Sequence, residues 1–440
     1  MKNKSLFTKL LFEELNKKNI CYAVLRNYES LPDSCGGSDM DIYVSSKDIY
    51  DFYYILSKVS KETEASLVSY TKDKNSPKLC YLSTKEGIQI DVFNGKIPYK
   101  SNTLVSEETI EKNLVTYNNI KVIDKNFGDL IAFIKEILNN GKCAEKYIRP
   151  IIEDKDKFNN HYLEKKLNSF NKDFTATLYR AINNGNLKEE INLLTKLGRK
   201  SLRNNLFHRI SVSFSKLRRL FKQPGYTIAF LGTDGSGKST VINSITPILN
   251  EAFHNGIRYE HMRPNHIPSL AVFLGKKKSD EPAQVCSNPH GSKPSGFAGS
   301  LMRISYYMID YTWGYFRKIF MDKAFKTHVW IFDRYYYDYL IDPRRARISL
   351  PKWILKFFGF FVPTPDLILC LGGNPEKIYA RKPETSLEEV TRQTIVLKKF
   401  CDSNKKAVWV DTTTTPQESI DTAMKAIQEM MRKRFAKTIL

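Results

Sequence analysis

The feature that most constrains this chain is a glycine-rich segment between an apolar run and a predicted helix. Residues 232–240 read GTDGSGKST and match the pattern GxxxxGK[ST]. Thr227 to Leu231 form a compact apolar run suited to a buried parallel strand, and a helix is predicted from Val241. Glycines let successive backbone N–H groups point at phosphate oxygens, and the helix start adds a partial positive charge. The segment therefore predicts an α/β domain with a phosphate-binding loop.

Two side chains of this loop point to specific chemistry. Lys238 would reach the β and γ phosphates of a nucleotide, and the hydroxyl of Ser239 would bind Mg²⁺. We therefore predict ATP and Mg²⁺ as cofactors. The predicted cofactor-binding residues are Gly232, Asp234, Gly235, Ser236, Gly237, Lys238, Ser239 and Thr240.

Two further apolar strands follow the loop in the sequence. The first covers residues 328–332 and is followed directly by Asp333, Arg334 and a tyrosine. A carboxylate at the C-terminal end of a parallel strand near such a loop can position Mg²⁺ or its waters, so Asp333 is a predicted metal ligand. The second strand, residues 366–371, is followed by a predicted helix with Arg381 and Lys382 at its end.

The order and spacing of these motifs resemble the thymidylate kinase family. The matching segments are GxDGxGKST, then Asp-Arg-Tyr, then Pro-Asp-Leu, Pro-Glu and Arg-Lys, over about residues 223–430. The resemblance implies a P-loop NTPase fold with a parallel sheet and a kinase activity with ATP as the phosphoryl donor.

The resemblance also implies residue roles. Asp234 would contact a sugar hydroxyl of the acceptor, Arg334 and Arg263 would hold the acceptor phosphate, and Arg381 or Lys382 would begin a lid over the transferred group. The predicted catalytic residues are Lys238, Asp234, Arg334 and Arg381, and the predicted substrate residues are Arg263, Asp333, Arg334 and Asp338.

The sequence departs from the family on the acceptor side. Gly372 stands where the family has an aspartate, and Tyr336, Tyr337 and Asp338 replace residues that help recognise the base. The acceptor therefore remains open between dTMP, another nucleoside monophosphate and a related phosphorylated or glycan acceptor. Arg344 and Arg345 have a second interpretation, as ion-pair partners of Asp338 and Asp342.

The N-terminal region has three acids in a strand-like context. Residues 37–44 read GSDMDIYV, so Asp39 and Asp41 are two apart at a strand start and point to one face. Asp91 lies in another apolar strand. Three converging carboxylates suit two Mg²⁺ ions, so all three are predicted metal ligands. The alternative is two solvated turn aspartates and an unrelated strand aspartate.

This acidic pattern resembles the nucleotidyltransferase superfamily over about residues 1–125, which implies an α+β domain. The family carries a Gly-Ser pair at the end of its first strand, where this chain has Leu25, Arg26 and Asn27. The only Gly-Ser pair near the acids directly precedes them, at residues 37–38.

The charge is distributed unevenly along the chain. Of the 69 basic and 47 acidic residues, nine basic and no acidic ones lie in residues 196–222. Within that segment Leu206, Ile210, Phe214, Leu217 and Phe221 recur at helical spacing. The segment is either a connector helix that packs on a neighbouring domain or a helix on an anionic membrane surface.

We therefore predict four regions. They are a nucleotidyltransferase-like domain at 1–125, a helical extension at 126–195, a basic amphipathic linker at 196–222, and a thymidylate kinase-like domain at 223–440. A polar stretch at 275–297 is predicted to be a mobile loop.

Composition narrows the location and the function classes. The seven cysteines include no CxxC pair, and neither a signal peptide nor a membrane span is evident, so we expect a cytoplasmic protein that could contact the inner face of the membrane. Three functions remain as hypotheses. They are an ATP-dependent phosphotransferase, a nucleotidyltransferase of surface-polysaccharide biosynthesis with a regulatory P-loop domain, and a basic nucleic-acid-binding P-loop protein. The last is disfavoured because the charge is not interleaved with aromatics.

Overall fold

The computed structural model describes residues 5–36, 38–71, 76–202, 206–268 and 293–436. The described residues fall into two compact units. The first lies within Met1–Tyr81 and Ile88–Leu217, and the second comprises Leu82–Gly87 and Arg218–Lys437. The predicted mobile loop at 275–297 lies mostly outside the described residues. Its last residue, Phe297, begins a helix.

The first unit is built around a mixed sheet of seven strands in the order β3-β4-β5-β2-β1-β9-β8. Its strands are β1 (Tyr22–Val24), β2 (Met40–Val44), β3 (Ser66–Thr71), β4 (Lys78–Leu82), β5 (Gly87–Asn94), β8 (Leu114–Tyr117) and β9 (Ile120–Ile123). A separate hairpin pairs β6 (Lys96–Tyr99) with β7 (Asn102–Ser106). Strand β2 is parallel to β5, and their register places Asp41 opposite Asp91.

Helices cover both faces of this sheet. They are α1 (Leu6–Lys17), α2 (Ile49–Glu62), α3 (Glu107–Glu111), α4 (Lys125–Asn140), α5 (Glu145–Glu153), α6 (Asn160–Lys166), α7 (Lys172–Asn183) and α8 (Ile191–Ser201), with a 3-10 turn at Lys155–Lys157. Alternate strand residues face opposite ways: Ile42 and Val92 pack in one apolar cluster with α1 and α2, while Tyr43 and Phe93 pack in the other with α4 to α8. The result is an α+β architecture.

The second unit contains a five-stranded parallel sheet in the order β11-β12-β10-β13-β14. Its strands are β10 (Tyr226–Gly232), β11 (Ile257–His261), β12 (Val329–Asp333), β13 (Leu367–Gly372) and β14 (Ala407–Asp411). The central strand β10 is buried along its whole length, as its unbroken apolar sequence requires. The predicted α/β class with a parallel sheet is confirmed.

Helices connect and cover these strands. They are α9 (Leu206–Phe221), which leads into the unit, α10 (Lys238–Ala252), α11 (Phe297–Gly314), α12 (Met321–Phe325), α13 (Asp338–Ile341), α14 (Lys352–Phe360), α15 (Pro375–Arg381), α16 (Leu387–Ser403) and α17 (Pro416–Phe435). A π-helical turn at Tyr315–Phe320 joins α11 to α12. Tyr335 and Tyr336 are buried in the core beneath these helices. In the described part of the chain, no helix is long and apolar enough to cross a membrane.

Asp366 ties three parts of the second unit together just before β13. Its Oδ2 accepts hydrogen bonds from the backbone N–H of Thr227 at 2.7 Å and from the Lys323 ammonium at 2.9 Å, and its Oδ1 accepts one from Arg434 at 2.6 Å. Burial disfavours ionisation of Asp366, but Lys323 and Arg434 outweigh it and hold the pKa of the carboxyl below its usual range. The carboxylate therefore stabilises the unit in its charged form.

We expect Asp366→Asn to lower the free energy of unfolding by about 3 kcal/mol at pH 7, because Lys323 would be left buried without its counter-charge. The pKa of Asp366 is lower in the folded state than in the unfolded state, so its charged form stabilises the fold at pH values above the unfolded pKa. The difference in free energy of unfolding between wild type and variant should therefore shrink as the pH falls below about 4. Urea unfolding followed by circular dichroism at several pH values measures both effects. Asp402→Asn breaks an exposed pair with Lys398 and should change nothing measurable. Equal effects of the two variants would contradict the prediction.

Candidate functional site

The phosphate-binding loop lies at the C-terminal end of the central strand of the second unit. Strand β10 ends at Gly232 and helix α10 begins at Lys238, with Gly237 at its N-cap position and no side-chain cap. Gly235 and Gly237 both have φ of +79°, and a Cβ on Gly235 would lie 2.7 Å from the carbonyl oxygen of Ile378. Glycine is therefore required at Gly235, and the uncapped N–H groups of α10 are available to an anion.

A cleft of about 590 Å³ opens above this loop. Five cationic side chains and two carboxylates line it, so it favours an anionic ligand. The lining residues are Asp234, Gly235, Gly237, Lys238, Ser239, Thr240, Val241, His261, Asp333, Arg334, Arg345, Arg381, Lys382, Thr412, Pro416 and Ser419. The volume of the cleft and the charge of its lining match a nucleotide phosphate chain rather than an apolar ligand.

Lys238 is buried at the base of this cleft. Its ammonium donates hydrogen bonds to the carbonyl oxygens of Gly232 and Thr233, each at 2.9 Å. Burial and, to a smaller extent, the charge of Arg334 lower the pKa of Lys238 to about 8. A phosphate in the cleft would supply the counter-charge that this ammonium lacks.

Asp333 ends strand β12 on the opposite wall of the cleft. Its Oδ2 accepts a hydrogen bond from the Tyr259 hydroxyl at 3.1 Å and lies 3.8 Å from Nδ1 of His261. Its Oδ1 is buried and accepts no hydrogen bond from the described residues. Such an orphaned carboxylate oxygen, in a cleft that Ser239 also lines, fits Mg²⁺ or a water bound to it, which is the chemistry that the sequence predicts.

Arg334 joins the loop to the strand end. Its guanidinium donates two hydrogen bonds to Asp338, at 2.9 and 3.0 Å, and one to Oδ1 of Asp234 at 2.7 Å. Arg345 pairs with the other carboxylate oxygen of Asp234. Burial disfavours the charge of Asp234, but the two arginines outweigh it and lower the pKa of the carboxyl.

This network changes two of the sequence-based assignments. Asp338 is buried and bound by Arg334, and the lining of the cleft does not include it, so it positions Arg334 in this structure rather than facing a substrate. Arg345 does not pair with Asp338. It lies on Asp234 and reaches Asp342 only at 4.0 Å.

Arg263 lies outside the lining of the cleft. Its guanidinium is 3.0 Å from Oδ2 of the buried Asp310 and 5.1 Å from the ring centre of Tyr307. Asp310 also accepts hydrogen bonds from the backbone N–H groups of His266 and Ile267, at 2.9 and 3.0 Å. Asp310 thus holds the segment after β11 in place, and Arg263 is engaged by protein groups here.

Arg381 and Lys382 line the cleft from the end of α15. Lys382 pairs with Glu384 at 2.9 Å. Reasoning from the sequence did not select His261 or Arg345, which also line the cleft. The Pro-Arg-Arg segment after the Asp-Arg-Tyr motif was the signal for Arg345, but its direction depends on the 3-10 turn at Pro343–Ala346.

The three N-terminal acids do converge in the first unit. Carboxylate oxygens of Asp39, Asp41 and Asp91 all lie within 4.8 Å of one another. Arg26 bridges the first two, pairing with Asp41 and lying 3.3 Å from Asp39, and Lys78 lies 2.8 Å from Asp91. Burial raises the pKa of Asp91 to about 6, although Lys78 opposes the shift.

These cations bear directly on metal binding at the acidic trio. The carboxylates have the spacing that divalent ions use, but a metal ion there would have to displace the head groups of Arg26 and Lys78. Arg26 stands where the resembling family has its Gly-Ser pair, and Gly37 of the other pair lies outside the described residues. The carboxylates of the trio are thus already paired with cations, whereas Oδ1 of Asp333 has no hydrogen-bond partner among the described residues.

No protein-family model and no curated protein matches this chain. Among solved structures, a thymidylate kinase from Ehrlichia chaffeensis is similar over 43% of this chain and 88% of its own, with 14% sequence identity and a TM-score of 0.29. At this identity and TM-score, function has to be inferred from the clefts and side chains themselves.

The buried ammonium gives a measurable pH dependence. The pKa of Lys238 is about 8 in the folded chain and ~10.4 in an unfolded one, so the unfolded state binds more protons between these values. Stability conferred at this position therefore rises with pH. We expect the free energy of unfolding of wild type minus that of Lys238→Met to increase by about 1–3 kcal/mol from pH 7 to pH 10.

Chemical denaturation at a series of pH values measures this difference. Lys425→Met, at an exposed position on α17, is the matched control and should show no such trend. A difference that stays constant with pH for Lys238→Met would show that the ammonium is not desolvated as described.

Proposed function

We propose that the second unit is an ATP-dependent phosphotransferase. One observation carries this proposal: a cleft at the start of α10 brings together the buried Lys238 ammonium, four further cations and an orphaned oxygen of Asp333. Those are the groups that phosphoryl transfer needs, since catalysis there is mainly positioning and charge stabilisation.

Each group has a role in this proposal. Lys238 binds the β and γ phosphates. Their negative charge offsets the free-energy cost of burying its ammonium group. The N–H groups at the start of α10 bind the phosphate oxygens. Asp333 and Ser239 would hold Mg²⁺, which supplies charge neutralisation between the phosphates when bound. Arg381, exposed at the end of α15, closes on the transferred group.

The acceptor side of the cleft is set by Asp234 and its two arginines. Arg334 and Arg345 both line the cleft, and both pair with Asp234 of the loop. Paired guanidinium groups suit a phosphate or another anionic oxygen group on the acceptor. The proposal therefore covers a nucleoside monophosphate such as dTMP or a related phosphorylated or glycan acceptor.

A direct test is an acceptor screen with radiolabelled ATP and Mg²⁺. The panel should contain nucleoside monophosphates, sugars, sugar phosphates and polyprenyl-linked saccharides. We expect Lys238→Ala to lower turnover of the active acceptor by about a thousandfold or more while the fold is retained. Unchanged activity in this variant would refute the proposal.

A matched arginine pair tests the acceptor side in the same assay. Arg345→Gln should lower turnover about ten- to a hundredfold, because it removes a cation from the cleft. Arg344→Gln, at the exposed neighbouring position, should leave turnover near the wild-type value. The structure of Arg345→Gln must be checked by its thermal unfolding, since Asp234 loses one partner.

We infer a second candidate function from the acidic trio, namely nucleotidyl transfer by the first unit, with the P-loop domain as its regulator. The convergence of Asp39, Asp41 and Asp91 favours it, and the pairing with Arg26 and Lys78 opposes it. The corresponding role is that of a nucleotidyltransferase in surface-polysaccharide biosynthesis.

Asp39→Asn combined with Asp41→Asn separates the two candidates. If the first unit transfers nucleotides, the double variant should lose that activity by about a hundredfold or more, since the metal ligands are gone. If the second unit alone is catalytic, phosphoryl transfer should be unchanged. Product analysis distinguishes a transferred nucleotidyl group from a transferred phosphoryl group.

We also infer a peripheral membrane contact through the basic segment 196–222. Helix α9 presents Ile210, Phe214, Leu217 and Phe221, of which Phe221 is 86% exposed. Basic residues Lys216, Arg218 and Arg219 share this helix, which contains no acid. This composition favours an anionic surface as the partner.

A further inference from the structure

Helix α11 with the turn after it, and helix α14 with the residue after it, carry an unusual set of exposed apolar side chains, six of which are aromatic. We call this set the aromatic face, and it consists of Ile309, Trp313, Phe316, Trp353, Phe357, Phe360 and Phe361. Their exposed fractions run from 47% for Phe361 to 84% for Phe360. Aromatic side chains are normally buried, and contiguous exposed apolar area marks an interaction site.

Helix α14 carries large apolar side chains on its outer side as well as on its inner side. Ile354 and Leu355 face inward and are buried. Trp353, Phe357 and Phe360 recur at intervals of four and three and face outward, where Lys352 and Lys356 are also exposed. Large apolar side chains on both sides of a helix are expected where both sides are covered. The inner side is covered by the core of the unit, and no described residue covers these three outer rings.

Helix α11 continues the aromatic face of α14. The hydroxyl of Thr312 donates a hydrogen bond to the carbonyl oxygen of Phe361 at 3.0 Å, which brings the two helices together at this point. The ring of Phe361 is 5.5 Å from the rings of both Phe357 and Phe360. Trp313 follows Thr312 directly and is 55% exposed. The rings of Phe357, Phe360 and Phe361 thus form one exposed cluster, and the helix that carries Trp313 packs beside it.

The exposed charges next to these rings in the chain all have one sign. Lys352 and Lys356 flank the rings on α14, and Arg317 flanks them after α11, and all three are exposed. Within residues 297–321 and 349–361, both fully described, the only acid is Asp310, which is buried against Arg263. The two segments that carry the aromatic face therefore expose cations and no acid.

We propose that the aromatic face docks on an anionic membrane surface. Tryptophan and phenylalanine side chains insert at the boundary between head groups and acyl chains, while lysine and arginine bind the anionic head groups. Charge complementarity selects lipid over a second copy of this chain, because a symmetric self-contact would place the same cations opposite one another. This surface is separate in the chain from α9, and it does not depend on the proposed catalytic activity.

The test uses the full-length protein and two kinds of vesicle. One is phosphatidylcholine alone, and the other contains about 30 mol% phosphatidylglycerol. We expect sedimentation with the anionic vesicles, weakening as salt rises, and little binding to phosphatidylcholine. Trp353→Ser with Phe357→Ser and Phe360→Ser should lower the partition coefficient about tenfold or more. Lys352→Glu with Lys356→Glu should remove the preference for anionic lipid.

Matched controls keep the result specific. Tyr50→Ser with Tyr54→Ser removes exposed aromatic rings from α2, which are 82% and 65% exposed, and should leave vesicle binding unchanged. Phe214→Ser with Phe221→Ser measures any contribution of α9. Thermal unfolding should be unchanged in every variant, since all the replaced side chains are exposed.

Three outcomes would overturn the proposal. One is equal binding to both vesicles, and another is undiminished binding by the triple variant. The third is a dimer in light scattering that the triple variant abolishes, because a second copy would then be what covers the aromatic face.

Discussion

The buried guanidinium of Arg334 organises the cleft at the start of α10. It is almost fully removed from solvent, and burial alone would disfavour its charge. Asp338 and Asp234 outweigh that cost and hold the pKa of Arg334 above its usual range. An unpaired buried charge is strongly destabilising. Arg334 therefore holds both carboxylates in position, and they in turn hold Arg334.

This ion-pair network has consequences across the cleft. The loop carrying Asp234 is connected to the end of β12 through Arg334, and Arg345 is drawn to the remaining oxygen of Asp234. Burial is the main cause of the lowered pKa of Lys238, and the charge of Arg334 adds to it. An anionic group in the cleft would offset both effects, which supports the proposal of a nucleotide site here.

The carboxylates of the two units have different hydrogen-bond and ion-pair partners. In the second unit Asp333 keeps one buried oxygen without a hydrogen-bond partner among the described residues, and a metal or its water fits there. In the first unit Arg26 and Lys78 already neutralise the acidic trio. The contrast explains why phosphoryl transfer by the second unit is the better supported of the two candidate functions.

The sequence by itself determined the local elements that carry chemistry. The GxxxxGKS segment requires positive φ at Gly235 and Gly237, and that backbone dictates a strand, a loop and a helix start wherever it occurs. The alternation around Asp39 and Asp41 likewise placed both carboxylates on one face of β2. These predictions succeed because their physical causes act within a few residues.

Only the tertiary structure decided which charges meet. Asp234 and Arg345 are 111 residues apart, and nothing local shows that they pair or that Asp338 serves Arg334 rather than a ligand. The same holds for α14, which is apolar apart from Lys352 and Lys356, so that only packing decides that Leu355 is buried while Phe360 is exposed. Pairing and exposure depend on distances between elements remote in the chain, and the fold alone sets those distances.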